Sequence, residues 1–166
     1  MLRLPIALAL ALALPVIAQA QPGLPYEIKR DVPRTGSRLL ATAAKSDLPF
    51  DKGYDQLTPA QQASIKSRYE QMGPGDEPPY PLAGTKKIWQ ALVRGGDKLG
   101  EKGTLRLAVD VDADGKPTAV TVLQTPGDRL AKYMAAVLMQ ERYKGALCDG
   151  VPCAQQFLFA AQWVQD

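Results

Sequence analysis

The chain has 166 residues, with 20 Lys and Arg against 17 Asp and Glu and a formal net charge of +3. So weak a balance gives no argument for a nucleic-acid partner or for an anionic membrane surface. The absence of histidine removes the commonest general base, and two cysteines alone are too few for a structural zinc site.

Residues 1–20, MLRLPIALALALALPVIAQA, place Arg3 ahead of an apolar run from Leu4 to Ala18 and end on Ala18-x-Ala20. That is the pattern of a secretory signal peptide. An apolar run of about 15 residues, broken by Pro5 and Pro15, is short for a bilayer span, which takes roughly 20. The expectation is cleavage after Ala20, a periplasmic location and no membrane span in the mature chain; a retained anchor is the rival. An even cysteine count in an exported chain points to a disulfide between Cys148 and Cys153, closing Asp149-Gly150-Val151-Pro152.

Residues 21–77 read as an N-terminal extension. A short helix is expected from Ser37 through RLLATAAK, and Lys29, Arg30, Arg34 and Arg38 form a loose basic cluster. The cluster reads as solvated surface, with a docking site for an acidic partner as the alternative. Thr58-Pro59-Ala60-Gln61 has the spacing of a capping box with proline at the first helical position. Ile65, Tyr69 and Met72 extend that helix as an apolar stripe to Gly73-Pro74-Gly75. DEPPYPLAG then reads as an extended, polyproline-like connector. A further helix from Thr85 to Leu99 carries Ile88, Trp89, Leu92 and Val93 on its apolar face.

In GTLRLAVDVD, Leu105, Leu107, Val109 and Val111 alternate with Arg106, Ala108, Asp110 and Asp112, a strand that buries one face and wets the other. ADGK is a turn signal, and PTAVTVL returns as the partner strand. Thr125 as N-cap, Pro126 at the first helical position and Asp128 in the first turn predict a helix. Its core stripe is Leu130, Tyr133, Met134, Val137 and Leu138. In AQQFLFAAQWV, Phe157, Phe159, Ala161 and Trp163 alternate with Leu158, Ala160, Gln162 and Val164 as a closing strand. The fold class is α+β, a small antiparallel sheet of strand, strand, helix, strand order with additional N-terminal helices.

Asp110-x-Asp112-x-Asp114-Gly115 matches the opening of an EF-hand loop, but the bidentate acid of position 12 falls on Thr121. The same Asp and Gly residues serve a hairpin turn, and that reading is preferred to calcium. No nucleophile elbow or phosphate-cradling glycine loop is present. No catalytic residue, cofactor or metal is therefore assigned.

The run PPYP at 78–81, a helix, GTLRLAVDVDADGKPTAVTVLQTPGD, and a second helix ending before ALCDGVPC together resemble the C-terminal domain of the TonB family, over residues 78–166. Two departures stand out. Tyr143-Lys144-Gly145-Ala146 lacks the proline of the family's aromatic-x-Pro-Ala step, and no proline-rich spacer is present. The resemblance implies an interaction module, related to energy-dependent transport, that binds an extended segment of a partner such as an outer-membrane transporter. Without anchor and spacer, an adaptor fits better than a complete transducer. The residues themselves point to the closing strand as the binding edge, at Gln156, Phe157, Leu158, Phe159, Ala160 and Gln162, because it carries neither proline nor charge before Asp166. A helix or a second copy of the chain, as a homodimer, is the rival cover for that edge. The alternative function is a stand-alone periplasmic structural or small-ligand-binding protein.

Overall fold

The computed structural model describes residues Glu27–Lys29 and Leu48–Gln162. The signal segment 1–20, the helix expected from Ser37, the cluster at Arg30, Arg34 and Arg38, and Trp163 and Val164 lie outside the described residues. In chain order the elements are β1 (Glu27–Lys29), a 3-10 turn (Tyr54–Gln56), α1 (Pro59–Lys66), β2 (Tyr80–Pro81), α2 (Lys86–Leu99), β3 (Thr104–Val111), β4 (Pro117–Gln124), α3 (Asp128–Gln140), β5 (Tyr143–Lys144), β6 (Ala146–Cys148), β7 (Val151–Cys153) and β8 (Gln155–Gln162). The class is α+β, three helices with small sheets that are antiparallel apart from the pairing of β1.

The main sheet has the order β1-β4-β3-β8, with β3 antiparallel to both β4 and β8 and β1 parallel to β4. The β3–β4 turn forms because the Asp112 carboxylate accepts the N–H groups of Asp114 and Lys116, at 3.1 and 2.8 Å, and Gly115 takes a φ of 78°. That carboxylate acts as a turn cap. Helices α2 and α3 cover one sheet face, burying Ile88, Leu92, Leu130, Met134 and Leu138 against Leu105, Leu107, Val109, Val120, Phe157 and Phe159.

The other face of the sheet is not wet as the alternation predicts. Ala108 and Thr121 are fully buried, and Ala119, Gln156 and Leu158 nearly so. Period two separates the two faces of a strand but does not say that either meets water.

The helices differ from expectation in three places. α1 keeps its Thr58–Gln61 capping box but ends at Lys66 with Ser67 as C-cap, so Tyr69 is buried from a loop beyond it. In α2 the buried positions are Ile88, Ala91, Leu92, Gly95 and Gly96, while Val93 is half exposed. The flatter Ala-Gly stripe lets α3 approach closely: a Cβ on Gly95 would meet the Tyr133 ring at 2.6 Å. Tyr133 consequently lies over that stripe and stays 37% exposed, and Ala131 and Ala135 take the core positions. α3 itself begins at Asp128 with Gly127 as N-cap. The Thr125 hydroxyl bonds only to the backbone of Gly127, and the first helical turn is capped from afar by Glu101. Glu101 Oε2 accepts from the Leu130 N–H at 2.8 Å, and its Oε1 accepts from Arg129 Nε at 3.1 Å. A remote carboxylate thereby meets the positive end of the helix dipole.

The proline-rich connector is docked. β2 pairs antiparallel with β5, Glu77 bridges Leu147, and Tyr80 is 2% exposed between Tyr54 and Phe157. β6 and β7 form a hairpin whose Cys148–Cys153 disulfide spans a Cα separation of 5.9 Å.

Candidate functional site

Within the main sheet β8 is an outermost strand, paired with β3 from Gln155↔Val111 to Gln162↔Thr104. In an antiparallel pair, alternate residues turn their N–H and C=O toward the partner strand and the others turn them away. Gln156 fixes the phase. Its N–H donates to Gln155 Oε1 at 3.2 Å, and its C=O accepts from the Tyr69 hydroxyl at 2.5 Å, so neither group faces β3. Leu158, Ala160 and Gln162 follow with their backbone groups outward, while Phe157, Phe159 and Ala161 bond inward to β3.

The sequence-expected edge is therefore reduced. Gln156 is engaged by its neighbours, and its side-chain Nε2 also donates to Asp110 Oδ1. Phe157 and Phe159 are core residues, 4% and 3% exposed, stacked edge-on or tilted against Tyr80, Tyr143 and Trp89. Of the outward-phased residues Leu158 is only 3% exposed and covered, so the accessible part of the edge is Ala160, half-buried, and Gln162, exposed. Tyr69 is the feature that sequence reasoning missed. It lies 87 residues before Gln156, in a loop, and nothing in its local pattern announces a strand-edge cap.

Beside the far end of β8 lies a cleft of about 230 Å³ whose mostly apolar lining includes Trp89, Leu92, Leu105, Leu130 and Ala161, with Glu101 and Gln162 as its polar side chains. Phe50, 46% exposed, packs on Trp89 with ring centroids 5.6 Å apart, and Trp89 packs on Phe159 at 5.3 Å. An extended chain along the outer side of Ala160–Gln162 would thus run past an apolar wall.

The near end of β8 is aromatic and dry. Burial pushes the Tyr69 hydroxyl well above the usual tyrosine range and, with Glu77 and then Asp55 adding to it, raises Tyr54 to about 12. Both hydroxyls are neutral at physiological pH, and that of Tyr69 is committed to the Gln156 carbonyl. The Arg68 guanidinium next to them has its pKa lowered by burial, and its Nε and Nη2 have no hydrogen-bond partner among the described residues. Lys144 pairs with Glu77 at 2.6 Å and sits 5.2 Å from the Tyr54 ring centroid.

Among the described residues no group of three His, Cys, Asp or Glu is placed to hold a metal ion, and no helix is long and apolar enough to cross a membrane. What the site offers is a short stretch of backbone donors and acceptors beside apolar side chains, the chemistry of recognition by strand addition. In comparisons with family models, curated proteins and solved structures, no match to this chain was found.

Proposed function

We propose that the chain is an exported, periplasmic interaction module of the TonB C-terminal type, which captures an extended segment of a partner by adding it as a strand along Ala160–Gln162. The partner class is an outer-membrane transporter, and the role that of an adaptor; no catalytic step is involved. The observation that carries the reading is the position of β8 at the edge of the described sheet, where the phase set by Gln156 turns the accessible Ala160 and Gln162 outward. Main-chain bonds supply affinity in such a pairing, and the Phe50–Trp89 wall with its cleft supplies a preference for an apolar residue on one side of the added strand. An edge without proline or charge requires a cover, because an open one invites uncontrolled pairing.

The test uses a synthetic peptide from the N-terminal segment of an outer-membrane transporter. On binding, the amides of Ala160 and Gln162 should become protected from hydrogen exchange, while that of Phe159, already bonded to β3, should change little. Ala160→Pro removes an outward donor, which an edge strand tolerates, and should abolish binding while the circular dichroism stays native; Ala160→Ser is the control. Unchanged exchange at both amides, or a folded Ala160→Pro that binds as the parent does, sinks the reading.

A further inference from the structure

The weak overall charge conceals an uneven distribution. α2 and α3 carry Lys86, Lys87, Arg94, Lys98, Arg129 and Lys132 against Asp97 and Asp128, a balance of +4, and all eight side chains are exposed. The rest of residues 48–162 carries eight cations against eleven acids, a balance of −3. Both helices turn their apolar positions toward the sheet and each other, so the cations occupy the outer side of the helix layer.

Arg94, Lys98 and Arg129 converge, with Asp97, on an open groove of about 830 Å³ whose remaining lining is Gly95, Leu99 and Tyr133. Gly95 makes room for the Tyr133 ring, which stays 37% exposed, and Val93 is 50% exposed on the same helix. The surface is thus a field of exposed cations, of which Arg129 is also held by Glu101 and the Leu99 carbonyl, around an amphipathic ring and one aliphatic side chain.

We propose that this outer helix face docks the protein on an anionic phospholipid surface. Lys86, Lys87, Arg94, Lys98, Arg129 and Lys132 meet the headgroup phosphates, and Tyr133 and Val93 rest at headgroup level. Charge complementarity selects the sign of the partner, and the poverty of apolar contact selects its class. A specific protein interface needs about 800 Å² on each side with a desolvated apolar centre, and two partly exposed apolar residues do not provide one. A lipid surface asks for less: cations within a Debye length of the headgroups and a tyrosine at the interface. Helix backbones have no free ladder groups to offer, so this surface works independently of the β8 edge.

The test is co-sedimentation of the full chain with vesicles of phosphatidylcholine alone and of an equal mixture with phosphatidylglycerol. Preference for the anionic vesicles is expected, declining as salt is raised. Each cation removed should lower anionic binding roughly fivefold, so Arg94→Glu with Lys98→Glu should erase the preference, while Lys116→Glu, on the β3–β4 turn, should leave it intact. Insertion through the apolar stretch of residues 4–18 would not distinguish the two vesicles. Equal binding to both, or a folded Arg94→Glu, Lys98→Glu variant that binds as the parent does, overturns the proposal. Stronger binding to soluble polyglutamate than to the anionic vesicles overturns it in favour of an acidic protein segment.

Discussion

The β3–β4 hairpin joins two eight-residue strands whose core residues Leu107, Val109 and Val120 are fully buried, and its turn is held by the Asp112 carboxylate, by backbone bonds of Asp112 with Gly115 and Lys116, and by the Tyr143 N–H on the Gly115 carbonyl. The β6–β7 hairpin joins strands of three residues, with Val151 64% exposed, around a turn in which Asp149 and Gly150 both have positive φ, 51° and 80°. The second hairpin has ties that the first does without. The Cys148–Cys153 bond closes it, Asp76 accepts the N–H groups of Asp149 and Gly73 at 2.8 and 2.7 Å, and Gly150 donates to the Gly75 carbonyl. An isolated two-stranded ribbon is marginal in water. Where both strands bury rows of apolar side chains, packing holds the pair; where they bury little beyond Ala146, covalent and charged links supplement packing.

That contrast breaks most visibly in the first hairpin. Leu107→Ala deletes a side chain with no exposure at the centre of the sheet and should destabilise the fold by about 3 to 4 kcal/mol, read from the urea midpoint at unchanged slope. Cys148→Ser in the second hairpin should cost about 2 kcal/mol, the chain-entropy value for so short a loop. The β3–β4–β8 amides should keep their relative exchange protection in that variant. A cooperative loss of the whole sheet would mean that the two hairpins are not separable.

The smallest effect is acidic. Hydrogen bonds from the Asp149 and then the Gly73 N–H hold the Asp76 carboxyl below its ordinary value of 3.8. A group with a depressed folded pKa contributes stability above its unfolded value, and that contribution is lost as the pH falls through the lower folded one. The Asp149 and Gly73 amide resonances should therefore shift together only below pH 3.8. In Asp76→Asn this transition should vanish while β3 and β4 stay unchanged.

How far these features could be read in advance follows from the distance over which each is determined. The β3–β4 strands, their Asp-Gly turn, the Thr58 capping box and the Cys148–Cys153 pair are set by neighbours a few residues apart, and the alternating pattern exposes them. The start of α3 is not. Thr125 and Pro126 are sound local signals, yet Glu101 supplies the cap, and a Cβ on Gly127 would lie 2.2 Å from its carboxyl carbon, so the first turn forms where that carboxylate fits. The exposure of Tyr133 depends likewise on the glycine opposite it. At the candidate edge the chain pattern identifies an uncharged closing strand, but the hydroxyl of Tyr69 decides which part of it is free. The basic face was invisible in the net charge because an acidic remainder offsets it.

The parallel pairing of β1 with β4 has a consequence for the order of assembly. Glu27 and Ala119 are partners although about 90 residues separate them, and three residues of ladder return little against the entropy of closing so long a loop. β3, β4 and β8 therefore come together before β1 has a stable place to dock, so the earliest of these strands to be synthesised is the last to be incorporated. Until the far half of the chain has arrived, the outer side of β4 stays vacant, and residues 27–29 remain accessible to whatever handles the chain on its way to the folded state.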